Sequence, residues 1–291
     1  MDDSALDTDE VAAIYDELLK TYSKQWEYQG HRSLHLGYYD DDHTDPGPAA
    51  MNTMRVLSEA ADIGESDRVL NIGCGAGEDS VWNARAHGAR VIGVNISEKQ
   101  LEIARKNARA HGVEELTDFR YDDFHELSTI DDGTVDVVWG LEALSHSHDR
   151  GLVLDQARRV LVDDGHVAFT DIFLRPNSVP LSPVDEERIE QINDALGIRV
   201  GPIEEFEEAL ESCGFSNITI RNMTEGIRPS TKRRRRFSRV AHPVGRVLGK
   251  VGKFSDIQLA AFEAHSNIYE LVEEGTIGYY LITAAIAQQD E

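Results

Sequence analysis

The sequence predicts an α/β protein built on a single mostly parallel sheet of seven strands, with helices on both faces. Three observations carry this reading. From Asp67 onward, short runs rich in Val and Ile alternate with amphipathic stretches of helical period. The strand runs are apolar on both sides of their pleat, as strands sandwiched between two helical layers must be. The first of them, VLNIGCGAG (69–77), breaks into Gly73, Gly75 and Gly77, a strand-to-helix turn of bare backbone.

Taken in order, VAAIYDELLKTYSKQWEYQ (11–29) spaces its apolar side chains for an N-terminal helix. HRSLHLGYYDDDHTDPGP, rich in His, Gly, Pro and aromatics, reads as a loop, and a second helix over about 48–62 follows. The strands are expected at 68–73, 90–96, 117–122, 135–141, 165–173, 217–224 and 276–287. Helices are expected at about 78–87, 97–111, 149–162 and 202–213. Two segments, 174–201 and about 225–275, fall outside the alternation and are read as cap insertions. The organisation is thus a helical N-terminal segment over 1–50 and a sheet domain over 51–291, with the larger insert before the last strand.

The composition sets bounds. The chain has 291 residues, 53 of them acids against 29 bases, for a net charge of −24. Only seven of the bases are lysine. Such a surface stays solvated when salt screens ordinary repulsion, so a halophilic, high-salt cytoplasm is favoured over an ordinary acidic enzyme. A chain this acidic is repelled by phosphates, which argues against a nucleic acid partner. No apolar run approaches the roughly 20 residues of a membrane span, and the acidic MDDSALDTDE is unlike a secretory signal. The protein is expected to be cytoplasmic. Cys74 and Cys213 lack metal-ligand spacing, so no metal is expected.

A Gly-x-Gly-x-Gly turn suits a dinucleotide, a nucleoside triphosphate, or a nucleoside carrying an amino acid. No Gly-Lys-Ser/Thr follows Gly77, which opposes the triphosphate. The third glycine of a dinucleotide fingerprint is replaced by Glu78, whose charge would also oppose a pyrophosphate. The zwitterionic ligand remains.

VLNIGCGAGEDS, VIGVNIS, YDDFHEL and VDVVWGLEALSHSHD, in that order, resemble the successive motifs of class I S-adenosylmethionine-dependent methyltransferases of the small-molecule type. LESCGFSNITI and GTIGYYLITAAIA resemble the late helix and final strands of that family. The resemblance implies a Rossmann-like fold with S-adenosyl-L-methionine as cofactor. It implies that Gly73, Cys74, Gly75 and Gly77 wrap the methionine end and ribose, and that Asn71 binds the cofactor where an acid usually positions the loop or the ammonium. Asn95 would follow the ribose, with Ile96 and Gln100 as further cofactor-binding residues, Asp123 and Phe124 the adenine, and Leu141 the methionine chain. Asn71 and Asn95 depart from the commoner acids at their positions, which leaves a catalytically silent binding subunit as a rival. VNISEKQ is nonetheless similar to versions in betaine-forming enzymes.

Methyl transfer needs a base only when the nucleophile carries a proton. The segments after the fourth and fifth strands supply Glu142, His146 and Asp171 as candidates; His148 reads as a surface residue. In resembling natural-product O-methyltransferases, a histidine at the position of His146 and an aspartate at that of Asp171 are proposed to work together. SLHLGYY is similar to the lid of tocopherol-type C-methyltransferases and of sarcosine and dimethylglycine N-methyltransferases, so His35, Gly37, Tyr38 and Tyr39 are candidate lid residues, with core packing as the rival role. Trp26 and Tyr28 share that ambiguity.

Between Arg228 and Lys253 lie ten bases and no acid. This segment reads first as a solvated loop. Two other readings are an arginine cluster for an anionic acceptor and, with Val240, Val244, Val247 and Leu248 interleaved, an amphipathic helix in peripheral contact with anionic lipid. The expected activity is methyl transfer to a small molecule: an isoprenoid or quinone-like lipid, a natural-product hydroxyl, or a small amine. The oligomeric state is not legible. A nicotinamide-dependent dehydrogenase is opposed by Glu78.

Overall fold

Along β1 (Arg68–Ile72) every residue after Arg68 is buried, because neighbouring strands and helical layers enclose it on all sides. This computed structural model describes residues 10–19, 32, 34–250 and 254–287. β1 is followed by β2 (Arg90–Asn95), β3 (Thr117–Tyr121), β4 (Val135–Leu141), β5 (Leu161–Leu174), β6 (Phe215–Asn222) and β7 (Ile277–Ile286). They form one sheet in the order β3-β2-β1-β4-β5-β7-β6. β7 alone runs antiparallel, to both β5 and β6. The strand order reverses between β1 and β4, and in such sheets the crevice beyond the carboxyl ends at that switch receives ligands.

Alternate residues of each strand enter two separate cores. Leu70, Ile72, Val138 and Phe169 meet α5 (Arg150–Val160) and α7 (Ile203–Ser212) on one face. Val69, Val91, Val137 and Trp139 face the other layer. That layer contains α2 (Pro46–Ala60), α3 (Glu78–His87) and α4 (Glu98–His111). α6 (Pro183–Leu196), α8 (Thr224–Gly249) and α9 (Asp256–Glu274) extend it. A short helix, α1 (10–19), lies across this assembly, where Ile14 and Leu18 meet Ala261 of α9.

Several boundaries differ from expectation. α2 starts at Pro46 instead of about 48, since proline suits a first helical turn. α5 stops at Val160, because Leu161 is already extended and opens β5 against β4. The segment 174–201 contains α6, capped by Ser182. The basic stretch is helical, not a loop, from Arg228 to the end of α8 at Gly249. Its Arg and Lys residues are good helix formers, and Ile227, Thr231, Ser238 and Gly245 turn inward. Gly245 allows close approach to α9, since a Cβ there would stand 2.8 Å from Leu259. The first helix expected over 11–29 is seen for 10–19; Trp26 and Tyr28 lie outside the described residues. Among the described residues no helix is long and apolar enough to cross a membrane.

Candidate functional site

One cavity opens at the carboxyl edge of β1, β2, β3, β4 and β5, roofed by α1, the 34–36 segment, α8 and α9. Its floor is the turn after β1. Gly75 has φ +51°, and a Cβ added there would meet only Gln100 Oε1 at 3.7 Å, so the bare position faces the cavity. Gly77 is left-handed for a different reason. A Cβ on it would lie 2.6 Å from Ala104, so it brings α3 against α4 and does not line the cavity, contrary to expectation.

Asn71 does not line the cavity either. It is buried and donates from Nδ2 to Ser80 Oγ at 2.7 Å, while its Oδ1 has no hydrogen-bond partner among the described residues. The carboxylate of this corner comes from Asp79, on the first turn of α3, which the sequence reading missed. Asp79 accepts from Trp139 Nε1 at 3.3 Å, and burial pushes its carboxyl up to about 6. The available signal was the second acid of GEDS. Cys74 lines the cavity, and burial holds its thiol well above the usual range.

The neighbouring wall gathers Asn95, Ile96, Gln100, Asp123, Phe124 and Leu141. Asn95 accepts from the Ile96 amide at 2.9 Å and donates to Gln100 Oε1 at 2.7 Å. The two adjacent aspartates divide. Asp122 is buried beneath Ser128 and Thr129, whereas Asp123 reaches the cavity and accepts from the His125 amide and ring. His148 is exposed at the rim, with its ring 4.0 Å from that of His125.

Opposite lie Glu142, His146 and Asp171. Glu142 adopts φ +53° and accepts from the Leu36 amide at 2.6 Å; burial pushes its carboxyl up to about 7. His146 Nδ1 lies 2.8 Å from Gly197 O. A carbonyl can only accept, so Nδ1 carries the proton and Nε2 is an acceptor. Tyr15 of α1 donates to that Nε2 at 2.7 Å, a partner no sequence pattern announced. Burial also lowers the His146 pKa, keeping the ring neutral. Asp171 accepts from the amides of Ser145 and Ile172 at 2.8 Å each, and no hydrogen bond joins it to His146 among the described contacts. Its geometry is that of an anchor for the 3-10 turn Leu144–His146, with burial raising its pKa against the pull of Arg150. Arg234 and Thr231 of α8 and His265 of α9 complete this end.

His35 lines the cavity but Tyr38 and Tyr39 do not. Tyr38 lies against Gly226, where a Cβ would stand 2.2 Å from its ring, and its amide is bonded to Ala49 O. Tyr39 is bonded through its amide to Gly226 O, and Ser230 and Arg233 are its side-chain neighbours. Both tie the N-terminal segment to α2 and α8. Gly37 likewise packs on Ala49 and Ala50, where a Cβ would stand 3.0–3.1 Å from their atoms. Among the described residues no cluster of His, Cys, Asp or Glu could hold a metal ion.

Residues 70–169 match the methyltransferase domain family. The 27-O-demethylrifamycin SV methyltransferase of Amycolatopsis mediterranei is 32% identical over 94% of this chain and 96% of its own length. The sarcosine/dimethylglycine N-methyltransferase of Halorhodospira halochloris is 30% identical over 77% of each chain. The crystal structure of the 4+2 cyclase SpnF superposes with a TM-score of 0.81 at 20% identity, covering 98% of both chains, which shows the fold.

Proposed function

The chain belongs to the S-adenosylmethionine-dependent methyltransferases, enzymes acting on small molecules, and on that premise we propose that its acceptor is a natural-product hydroxyl bound beside His146. When bound, S-adenosylmethionine supplies an electrophilic methyl on a sulfonium for in-line displacement. The cavity fits such a ligand: a cradle at Gly75 that a Cβ would fill, and the Asp79 carboxylate at the turn for a cation. In this reading Gly73, Cys74 and Gly75 offer main chain to the methionine end, and Asp79 receives its ammonium. Asn95, Ile96 and Gln100 take the ribose, Asp123 and Phe124 the adenine, and Leu141 borders the methionine chain.

The observation that carries the hydroxyl reading is the state of His146. Its Nδ1 proton is committed to Gly197 O at 2.8 Å, so Nε2 faces Tyr15 and the cavity as a neutral proton acceptor. A hydroxyl must shed a proton as it attacks; the Tyr15 hydroxyl oxygen can take it while passing its own proton to Nε2, whose lone pair it already occupies. Glu142, at about 7, is a second acceptor a short way along the same wall. Asp171 positions the turn that carries His146. Tyr15 and His35 close the roof and exclude water.

An amino-acid amine of the betaine type is the second reading. Arg234 lines the same end and would pair with an acceptor carboxylate. We also place the protein in a high-salt cytoplasm, on its excess of 53 acids over 29 bases. The test incubates the purified protein with labelled S-adenosylmethionine and, separately, phenolic and alcoholic polyketide fragments, sarcosine and dimethylglycine. O-methyl products by mass spectrometry support the proposal. N-methyl products alone, or S-adenosylhomocysteine binding with no turnover of any acceptor, overturn it.

A further inference from the structure

α8 presents two unlike faces. Inward, Thr231 and Arg234 line the cavity, and Ile227 and Gly245 are buried against the body. Outward, Phe237, Val240, Val244 and Val247 are 60%, 70%, 54% and 67% exposed. Their spacing of three, four and three residues places them on one side of the helix, in a single strip. Beside that strip run Lys232, Arg236, Arg239, Arg246 and Lys250, all exposed and none in an ion pair among the described residues. The bases that do pair, Arg228 with Glu225 and Glu273 and Arg235 with Glu270, lie closer to the body.

This arrangement is unusual for a chain of net charge −24. Dispersed acids would keep such a surface solvated without any basic strip, and exposed valines in register with a phenylalanine are a cost unless something covers them. We infer that the outer face of α8 docks on an anionic phospholipid surface, with Phe237, Val240, Val244 and Val247 entering the headgroup boundary and the flanking Arg and Lys meeting lipid phosphates. The charges are complementary, and a single convex helix suits a deformable interface, whereas a folded partner would need a groove to match it. A second copy would bring the same cationic strip against itself. Because the inner face of the same helix lines the cavity, docking would set the cavity roof next to the lipid.

The test is co-sedimentation of the full chain with vesicles of phosphatidylglycerol and phosphatidylcholine, against pure phosphatidylcholine, in dilute KCl. Binding to the anionic vesicles at least about tenfold stronger is expected. Two variants should each lose about tenfold or more. The first is Phe237→Ser with Val244→Ser; the second is Arg236→Gln, Arg239→Gln and Arg246→Gln. S-adenosylhomocysteine affinity by calorimetry should be unchanged in both, which certifies the fold and separates this inference from the methyltransferase reading. Equal or absent binding to both vesicles overturns the inference, as does full binding in both variants. A wild-type dimer in sedimentation equilibrium that becomes monomeric in the Phe237→Ser, Val244→Ser variant also overturns it, by assigning the strip to self-association.

Discussion

The hydroxyl of Tyr15 and Nε2 of His146 stand 2.7 Å apart although 131 residues separate them in the chain. The contact closes the cavity by joining α1 to the turn after β4, and it places a proton donor on the imidazole nitrogen that faces the ligand space. With Nδ1 held by Gly197, the ring is fixed in tautomer and orientation.

His146→Ala should lower kcat by about a hundredfold or more, the range of a lost general base, while S-adenosylhomocysteine affinity stays within about threefold. Tyr15→Phe should cost about tenfold in kcat, because the ring remains and only the hydroxyl is lost. Steady-state kinetics and calorimetry check both. Unchanged turnover in His146→Ala removes the histidine from the chemistry.

The Glu142 carboxyl sits at about 7, raised by burial. If its ionised form accepts the proton, kcat/KM rises with pH and levels above about 7. Glu142→Gln should lower the plateau and flatten that acidic limb. An identical pH profile in the variant would clear Glu142 of the role.

Asp79 is raised to about 6 in the ligand-free protein. A bound ammonium favours the ionised carboxylate, so affinity is full above pH 6 and declines as the pH falls through it. Calorimetric titration with S-adenosylhomocysteine from pH 5 to 8 should show this loss. Asp79→Asn should weaken binding about tenfold at pH 8, as for a partly buried ion pair, and remove the dependence. A pH-independent wild type would sink the assignment.

The glycines of the turn should separate by experiment. Gly75→Arg fills the open cradle and should abolish S-adenosylhomocysteine binding while the circular dichroism spectrum is retained. Gly77→Ala meets Ala104 at 2.6 Å and should instead destabilise, by about 2–3 kcal/mol for overpacking with backbone strain. That corresponds to a drop of roughly 5–10 °C in Tm. Binding retained in Gly75→Arg would move the ligand elsewhere.

Features with a local cause were legible in the chain. The seven strands, the helices between them and the glycine turn follow from side-chain period and backbone freedom, which act within a few residues. The resemblance of the ordered motifs identified the family and its cofactor on the same local runs. The basic stretch, ten bases and no acid, reads first as a solvated loop, with an amphipathic helix only among its other readings, whereas contact with α9 and the sheet stabilises it as α8. Which members of each motif reach the cavity depends on how the elements pack together. Asp123 faces it and Asp122 does not; Gly75 faces it and Gly77 packs α3 on α4. That packing also decides the partners that no run of sequence contains: Asp79 in the corner beside Asn71, and Tyr15 on His146. The physical reason is that hydrophobic period specifies which face of an element is buried, whereas a hydrogen bond between side chains depends on where separately folded elements come to rest.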